Sequence, residues 1–505
     1  MRLAITLFVM LLSFVEAQAA SPIVITHVTV IDVRTGEHQR DMVVLVTDNR
    51  ITAVEPAKGR HPAPGARVVD GTGKFLIPGL WDMHHHSGSD ADTRKFIFPL
   101  EIANGVTGVR DCWGDCWGNC PDDSLPIDKG TMRWRAEIAA GTLVGPKIVA
   151  SSPLIDGPRP FWPGAVAIHS VEEARAAVDN AVARRDDFIK VYSFLHRDAY
   201  FALAEEAKRK KIVFAGHVPY FLRVTEVSGA GQRSIEHMLD NFSIACSTEE
   251  QQLFQQRLAA AEDYESGVDS DEKRHKFFAL TLNRPIPRWL ATYDPSKCQS
   301  VARHLASNHT WVTPTLVLSR GWAFGRETYK QDDSRLQFVK NDQIQDWSSP
   351  DNIILGGRSS EDWKNWHAFF EQQVEAVRVL HEAGVPLLAG TDDGEPYVIA
   401  GFSLHDELAL LVQAGLSPLE ALQTATINPA KYLDDEKDYG SVAAGKVADL
   451  VLLDADPTVD IHNTTKISAV VANGRLFTRA DLDELLKGVK EAAVVKKSVS
   501  AASRK

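Results

Sequence analysis

The chain is short of cysteine and of positive charge, and each shortage narrows what it can be. Lysine and arginine number 55 against 67 aspartates and glutamates, a formal net charge of -12. Broad nucleic-acid binding needs a basic surface to displace counterions, so that class is excluded. The 5 cysteines are an odd number, so at least one is unpaired or pairs between chains. Beyond the first residues no apolar run is long enough to span a bilayer. What is present is an ordinary globular composition, 44% hydrophobic and 24% charged. At 505 residues it exceeds one ordinary core, and a large barrel with a smaller domain fits.

The opening residues carry one basic side chain, Arg2, then an apolar stretch to Val15, then Ala17-Gln18-Ala19. A short apolar run before a small-x-small site reads as a secretory signal cleaved after Ala19. The expectation is a secreted or periplasmic protein without a stable membrane anchor. No cysteine stands at the cleavage point to take a lipid. Export implies an oxidising compartment where disulfides persist. Cys246 and Cys298 bracket a long insertion and could tie it down. Cys112, Cys116 and Cys120 crowd one loop, where a disulfide fits better than zinc because no fourth ligand is evident.

Residues 20–75 read as β, with short β-branched runs such as Ile23-Val24-Ile25-Thr26 between turn signals. Residues 439–478 have the same character, so the two ends are expected to pair into one small β-sandwich. Between them, 76–438 alternates apolar strands with helical periods. Strands are read at His84, 105–111, 146–150, 188–192, 212–217, 234–237, 310–316 and 386–392, and helices over 171–185 and 198–210. Eight β-then-α units predict a parallel (β/α)8 TIM barrel, an α/β fold. Ser417-Pro418-Leu419-Glu420 reads as a capping box opening a helix. Residues 241–305 read as a polar insertion between strands six and seven. Residues 479–505 read as a helical or disordered tail, frayed from Lys487.

The chemistry lies at the strand ends, where such barrels place their active sites. Pro78-Gly79-Leu80-Trp81-Asp82-Met83-His84-His85-His86 puts His84 and His86 on one face of a strand and His85 on the other. Imidazole is a common ligand for zinc and its neighbours. The other strand ends offer Lys190, His217, His237 and Asp392. Lys190 interrupts an apolar run that should be buried, where an ammonium is costly unless paired or neutralised. It either pairs with Asp186 or Asp187, or is carboxylated by carbon dioxide into a carbamate that bridges two metal ions.

These segments, with Asn-Gly-Val-Thr-Gly-Val-Arg-Asp, Phe-Ile-Lys-Val-Tyr, Ala-Gly-His-Val, Ser-Ile-Glu-His, Leu-Ala-Gly-Thr-Asp and the closing Ala-Gly-Lys-Val-Ala-Asp-Leu-Val, resemble the amidohydrolase superfamily. Within it the chain is most similar to imidazolonepropionase-like hydrolases and metal-dependent prolidases. The resemblance implies two divalent metal ions, with zinc favoured by the imidazole-rich set. It implies that His84, His86 and Asp392 hold one metal and His217 and His237 the other, with carboxylated Lys190 and a hydroxide bridging. Asp392 would be the general base and acid.

Two positions depart from the pattern. His85 is bulky where relatives often carry a small or apolar residue, and is read as packing or supporting the ligands. Tyr220 stands one place later than the prolidase tyrosine, so Tyr192, facing the same way as Lys190, is the alternative carbonyl partner. The favoured reaction is amide hydrolysis of a dipeptide or N-acyl amino acid, with Arg159 or Arg320 as candidates to pair with the substrate carboxylate. A lactonase or phosphotriesterase is the alternative on the same centre. A deaminase ranks lower because Tyr220 occupies the proton-shuttling glutamate's place, and a non-catalytic binding protein lower still because every ligand position is filled. The expected partner is a small-molecule substrate, and homo-oligomerisation is left open.

Overall fold

The computed structural model describes residues 21–60, 64–117, 130–268, 270–328 and 333–494. The expected signal segment and Cys120 lie outside the described residues.

Seven parallel strands follow one another round a barrel: Leu80–His85, Val106–Asp111, Lys147–Asp156, Phe188–Val191, Val213–Gly216, Ser234–Glu236 and Trp311–Thr313. Their short β-branched and apolar runs are buried on both faces, as helix-covered parallel strands must be. Helices Val171–Arg184 and Arg197–Lys210 fall where the sequence periods put them.

The eighth strand is not regular. Only Leu387 forms a ladder bridge, to Val312. The segment still closes the barrel, because Leu388 N–H donates to the Val312 carbonyl, Met83 N–H to Ala389, and Asp392 N–H to His84 at 2.7 Å. Asp82 draws it off the ladder by accepting from both the Thr391 amide and hydroxyl, at 3.0 and 2.5 Å. Gly390 is required here, since a Cβ would lie 2.7 Å from the His84 amide nitrogen.

The terminal segments form one mixed eight-stranded sheet rather than two stacked ones. Its order is Arg475–Thr478, Ile467–Ala472, Leu450–Leu453, Phe75–Pro78, Ile23–Asp32, Glu37–Thr47 and Arg50–Pro56, with Arg67–Asp70 also paired to Ile23–Asp32. The sheet curls until its ends meet, with Asn49 donating to Asn473 at 3.1 Å. It encloses Val28, Val30, Val44, Ile51, Leu452 and Val471. One curled sheet buries the same alternating face that a sandwich would, and the sequence pattern does not separate the two. Phe75–Pro78 belongs to this sheet, so the barrel begins after Pro78.

The insertion after the sixth strand is helical, with Asp240–Ala245, Glu250–Glu265, Asp271–Phe278, Ile286–Thr292 and Pro295–Ser307. The disulfide Cys246–Cys298 closes it. Helix Arg479–Val494 runs past the expected fraying point because Leu482, Val489 and Ala493 are buried. Among the described residues no helix is long and apolar enough to cross a membrane.

Candidate metal centre

The six strand-end residues converge. His84 Nε2 lies 3.4 Å from Lys190 Nζ and 3.4 Å from Asp392 Oδ1. His86 Nε2 is 2.7 Å from Asp392 Oδ1, and His237 Nε2 is 3.6 Å from Asp392 Oδ2. The His237 ring stands 4.5 Å from that of His84 and 4.9 Å from that of His217, centre to centre. His84, His86 and Asp392 bring ligand atoms close enough to share an ion.

Three of the imidazoles are anchored by Nδ1, leaving Nε2 for the centre. Nδ1 of His84 lies 2.9 Å from Glu236 Oε2, that of His217 2.9 Å from Ser193 Oγ, and that of His237 2.8 Å from Thr315 Oγ1. Glu236 is fixed in turn by Arg110, whose guanidinium donates to it at 2.7 Å inside the barrel. Partners of this kind set tautomer and ring orientation in metal sites. Burial, with the nearby Lys190 charge, holds His84 and His217 well below the usual imidazole range. Burial lowers His237 to about 4. All three are neutral, the form that binds metal. Burial opposes the charge on Asp392, but His237, His86 and Lys190 outweigh it and hold the carboxyl below its ordinary range.

Lys190 is 1% exposed and forms no ion pair with Asp186 or Asp187; Asp187 is taken by Arg135. An ammonium there would be a buried charge among imidazoles. A carbamate on Nζ would instead be an anionic oxygen ligand. The donor set fits divalent cations: three neutral imidazoles with Nδ1 satisfied, a fourth at His86, one ionised carboxylate, and a buried lysine in salt-bridge contact with no carboxylate among the described residues.

Backbone strain gathers at the same place. His237, Thr315 and Asp392 have φ of 65°, 49° and 62°, a left-handed region that costs non-glycine residues, the β-branched threonine most.

The centre opens on a cavity of about 700 Å³ with aromatic walls that include Trp113, Phe161, Trp162, Phe277, Phe278 and Trp347. Tyr192 and Tyr220 both line it. The Tyr192 ring lies 4.3 Å from that of His217, and its hydroxyl accepts from Trp162 Nε1 at 2.8 Å. Tyr220 packs on Phe194 and Phe277 in the aromatic wall. Burial raises the Tyr192 phenol well above its ordinary range. Glu395 also lines the cavity, and burial beside Asp392 pushes it to about 8, so it is uncharged at neutral pH.

The two arginines expected to meet a substrate carboxylate do not reach the cavity. Arg320 is paired with Asp406, and Arg159 donates to the Tyr264 carbonyl. Cys112 is a free, buried thiol and Cys116 is disulfide-bonded, so the loop cysteines do not form the zinc alternative.

His85 turns away from the centre into a second buried cluster with Asp82, Glu101 and Asp393. Burial disfavours its charge, but Asp393 at 3.0 Å and Glu101 raise it to about 10. Asp393 also accepts the His86 amide at 2.8 Å, so this ion pair holds the end of the first strand against the eighth. Sequence reasoning missed Arg110, Ser193, Thr315 and Asp393. Arg110 sits inside a motif and Asp393 directly follows one, but Ser193 and Thr315 carry no signal beyond adjacency to a strand end.

Residues 337–477 match the model of the Amidohydrolase family. Over its whole length the chain shares its fold with a prolidase-like protein of Bifidobacterium longum, at 26% identity and a TM-score of 0.61, covering 94% of this chain and 100% of that one. Ochratoxinase of Aspergillus niger is 25% identical over 499 residues, 88% of this chain and 84% of that protein. A shorter match, 44% identical over 111 residues, joins 21% of the chain to 18% of adenine deaminase 2 of a Jannaschia species. The chain spans only 14% to 18% of the adenine deaminases it matches. Over residues 337–477, and in fold over nearly its whole length, the chain is similar to amidohydrolases, hydrolases that act on C–N bonds.

Proposed function

We propose that this protein is an exported, metal-dependent hydrolase that cleaves amide bonds. The observation that carries the reading is the convergence of His84, His86, Lys190, His217, His237 and Asp392, all but the buried His84 lining one cavity of about 700 Å³. Ala17-Gln18-Ala19 and the Cys246–Cys298 disulfide support export. The prolidase-like neighbour supports amide rather than ester or phosphoester substrates.

Two divalent cations, held by His84, His86 and Asp392 and by His217 and His237 with carboxylated Lys190 between, would supply Lewis acidity and an activated water. Asp392 is ionised and faces the cavity, so its carboxylate can accept a proton and return it to the departing amine nitrogen. The neutral imidazoles stay unprotonated through that transfer. Tyr192 keeps its proton, and with its oxygen already accepting from Trp162 the hydroxyl hydrogen is left to donate to a substrate carbonyl. The aromatic walls exclude water, which strengthens each of these interactions.

The test is metal content of the purified protein together with hydrolysis of amide substrates. About two metals per chain and turnover are expected, with both reduced in Lys190→Ala. A chain that takes up no metal under metal-replete conditions would sink the reading. Two bound metals with turnover of lactones or phosphoesters alone would replace the amide with those substrates.

A further inference from the structure

The cavity says more about the substrate than the metal centre does. Hydrolases of dipeptides and N-acyl amino acids must bind a carboxylate, and guanidinium is its natural partner. No arginine lines the cavity among the described residues. Its lysines are Lys190, inside the metal cluster, and Lys340, which is paired with Asp92 at 3.1 Å.

The lining does not invite a cation either, since Glu395 is kept uncharged by burial and the aspartates outside the metal cluster are paired or stand at the rim. Asp240 is paired with Arg257 at 2.8 Å, Asp393 with His85, and Asp92 with Lys340. Asp342 stands at the exposed rim. The remaining surface is apolar and aromatic on two sides. One side is Phe161, Trp162, Phe277 and Phe278, with the last two supplied by the insertion after the sixth strand. The other is built from Phe96, Ile97, Phe338 and Trp347. Burying a charged end against such walls without a partner is costly, while burying an aromatic ring gains its full transfer energy.

We infer that the substrate is an amide with a bulky aromatic or apolar group on each side of the scissile bond and no free carboxylate. The inference rests on the amide-hydrolase reading of the same site and specifies its substrate class. It departs from the dipeptide and N-acyl amino acid expectation, because the charge partner those substrates need is absent from the described lining.

Three compounds separate the possibilities on the metal-loaded, full-length mature protein. N-(2-naphthoyl)phenethylamine and N-(2-naphthoyl)-L-phenylalanine differ only by a carboxylate, and N-acetylphenethylamine removes one aromatic half. The uncharged naphthoyl amide is expected to have a kcat/KM at least tenfold above each of the other two. Phe278→Ala should raise KM for the naphthoyl amide, and an unchanged KM would remove that wall from substrate binding. An equal or higher kcat/KM for the phenylalanine compound overturns the inference while leaving the hydrolase intact. If no amide in the set turns over although two metals are bound, the amide-hydrolase reading fails. Binding of the same pair, followed by quenching of the cavity tryptophans, then decides the inference alone: tenfold tighter binding of the uncharged compound supports it, and equal binding ends it.

Discussion

Ser193 and Thr315 each fix one nitrogen of an imidazole that faces the centre. Loss of such a partner in metal sites costs about 10- to 100-fold in metal affinity. Ser193→Ala removes the His217 partner and leaves no buried charge behind. Chelator competition is expected to show one of two metals bound about 10-fold more weakly, with unfolding stability changed by about 1 kcal/mol or less. Unchanged affinity for both metals would assign His217 another role. Glu236→Gln is a harsher change, since Arg110 is fully buried and would keep its charge with a weaker partner. That variant should lose stability as well as metal, on the order of 3 kcal/mol.

At the scale of elements, what the sequence disclosed follows from periodicity. Strands such as Phe188–Val191 and helices such as Arg197–Lys210 carry strong local patterns, and their bounds match to within a residue or two. The candidate ligands were legible as strand-end residues because all but Asp392 follow or end such a strand. The Ser417 capping box was legible for the same local reason, and the structure forms it reciprocally with Glu420. Ser417→Ala should cost about 1 kcal/mol in a denaturant melt, whereas an exposed serine outside a cap would cost almost nothing. The irregular eighth strand and the single curled sheet were not legible. Both depend on distant partners, Asp82 acting on Thr391 and Asn49 meeting Asn473. The carboxylate pocket failed for a similar reason. Arg320 follows the right strand, but its side chain is claimed by Asp406, 86 residues away in sequence. The Cys246–Cys298 bridge, spanning 52 residues, ties the insertion that supplies Phe277 and Phe278 to the cavity. A loop of that size is worth about 4 kcal/mol by chain entropy. Replacing both cysteines by alanine should expose residues 246–298 to protease at lower denaturant concentration and raise KM for bulky substrates. Protease resistance equal to the parent would show that helix packing alone holds the insertion.

On the scale of the whole molecule, the barrel and the terminal sheet are fastened by buried polar groups as well as apolar ones. His405, on the helix Phe402–Gln413 that follows the eighth strand, is 5% exposed. Its Nε2 lies 3.0 Å from the Asn104 carbonyl in the barrel, and its Nδ1 lies 2.9 Å from Thr464 Oγ1, in the turn leading into a strand of the terminal sheet. Burial lowers it from an ordinary value of 6.5 to about 4. The unfolded chain therefore takes up a proton here before the folded one does. The stability that neutral His405 contributes is complete above pH 6.5 and is lost as pH falls from 6.5 toward 4, about 3 kcal/mol in all. His405→Gln cannot titrate, so its penalty relative to the parent, read from urea unfolding, should shrink by about 2 kcal/mol between pH 7.5 and pH 4.5. Because both proteins carry the same metal-site histidines, the difference isolates this residue. A penalty constant across that range would mean that His405 is solvated enough to keep its ordinary titration, and that the join between barrel and sheet opens well below the energy of global unfolding.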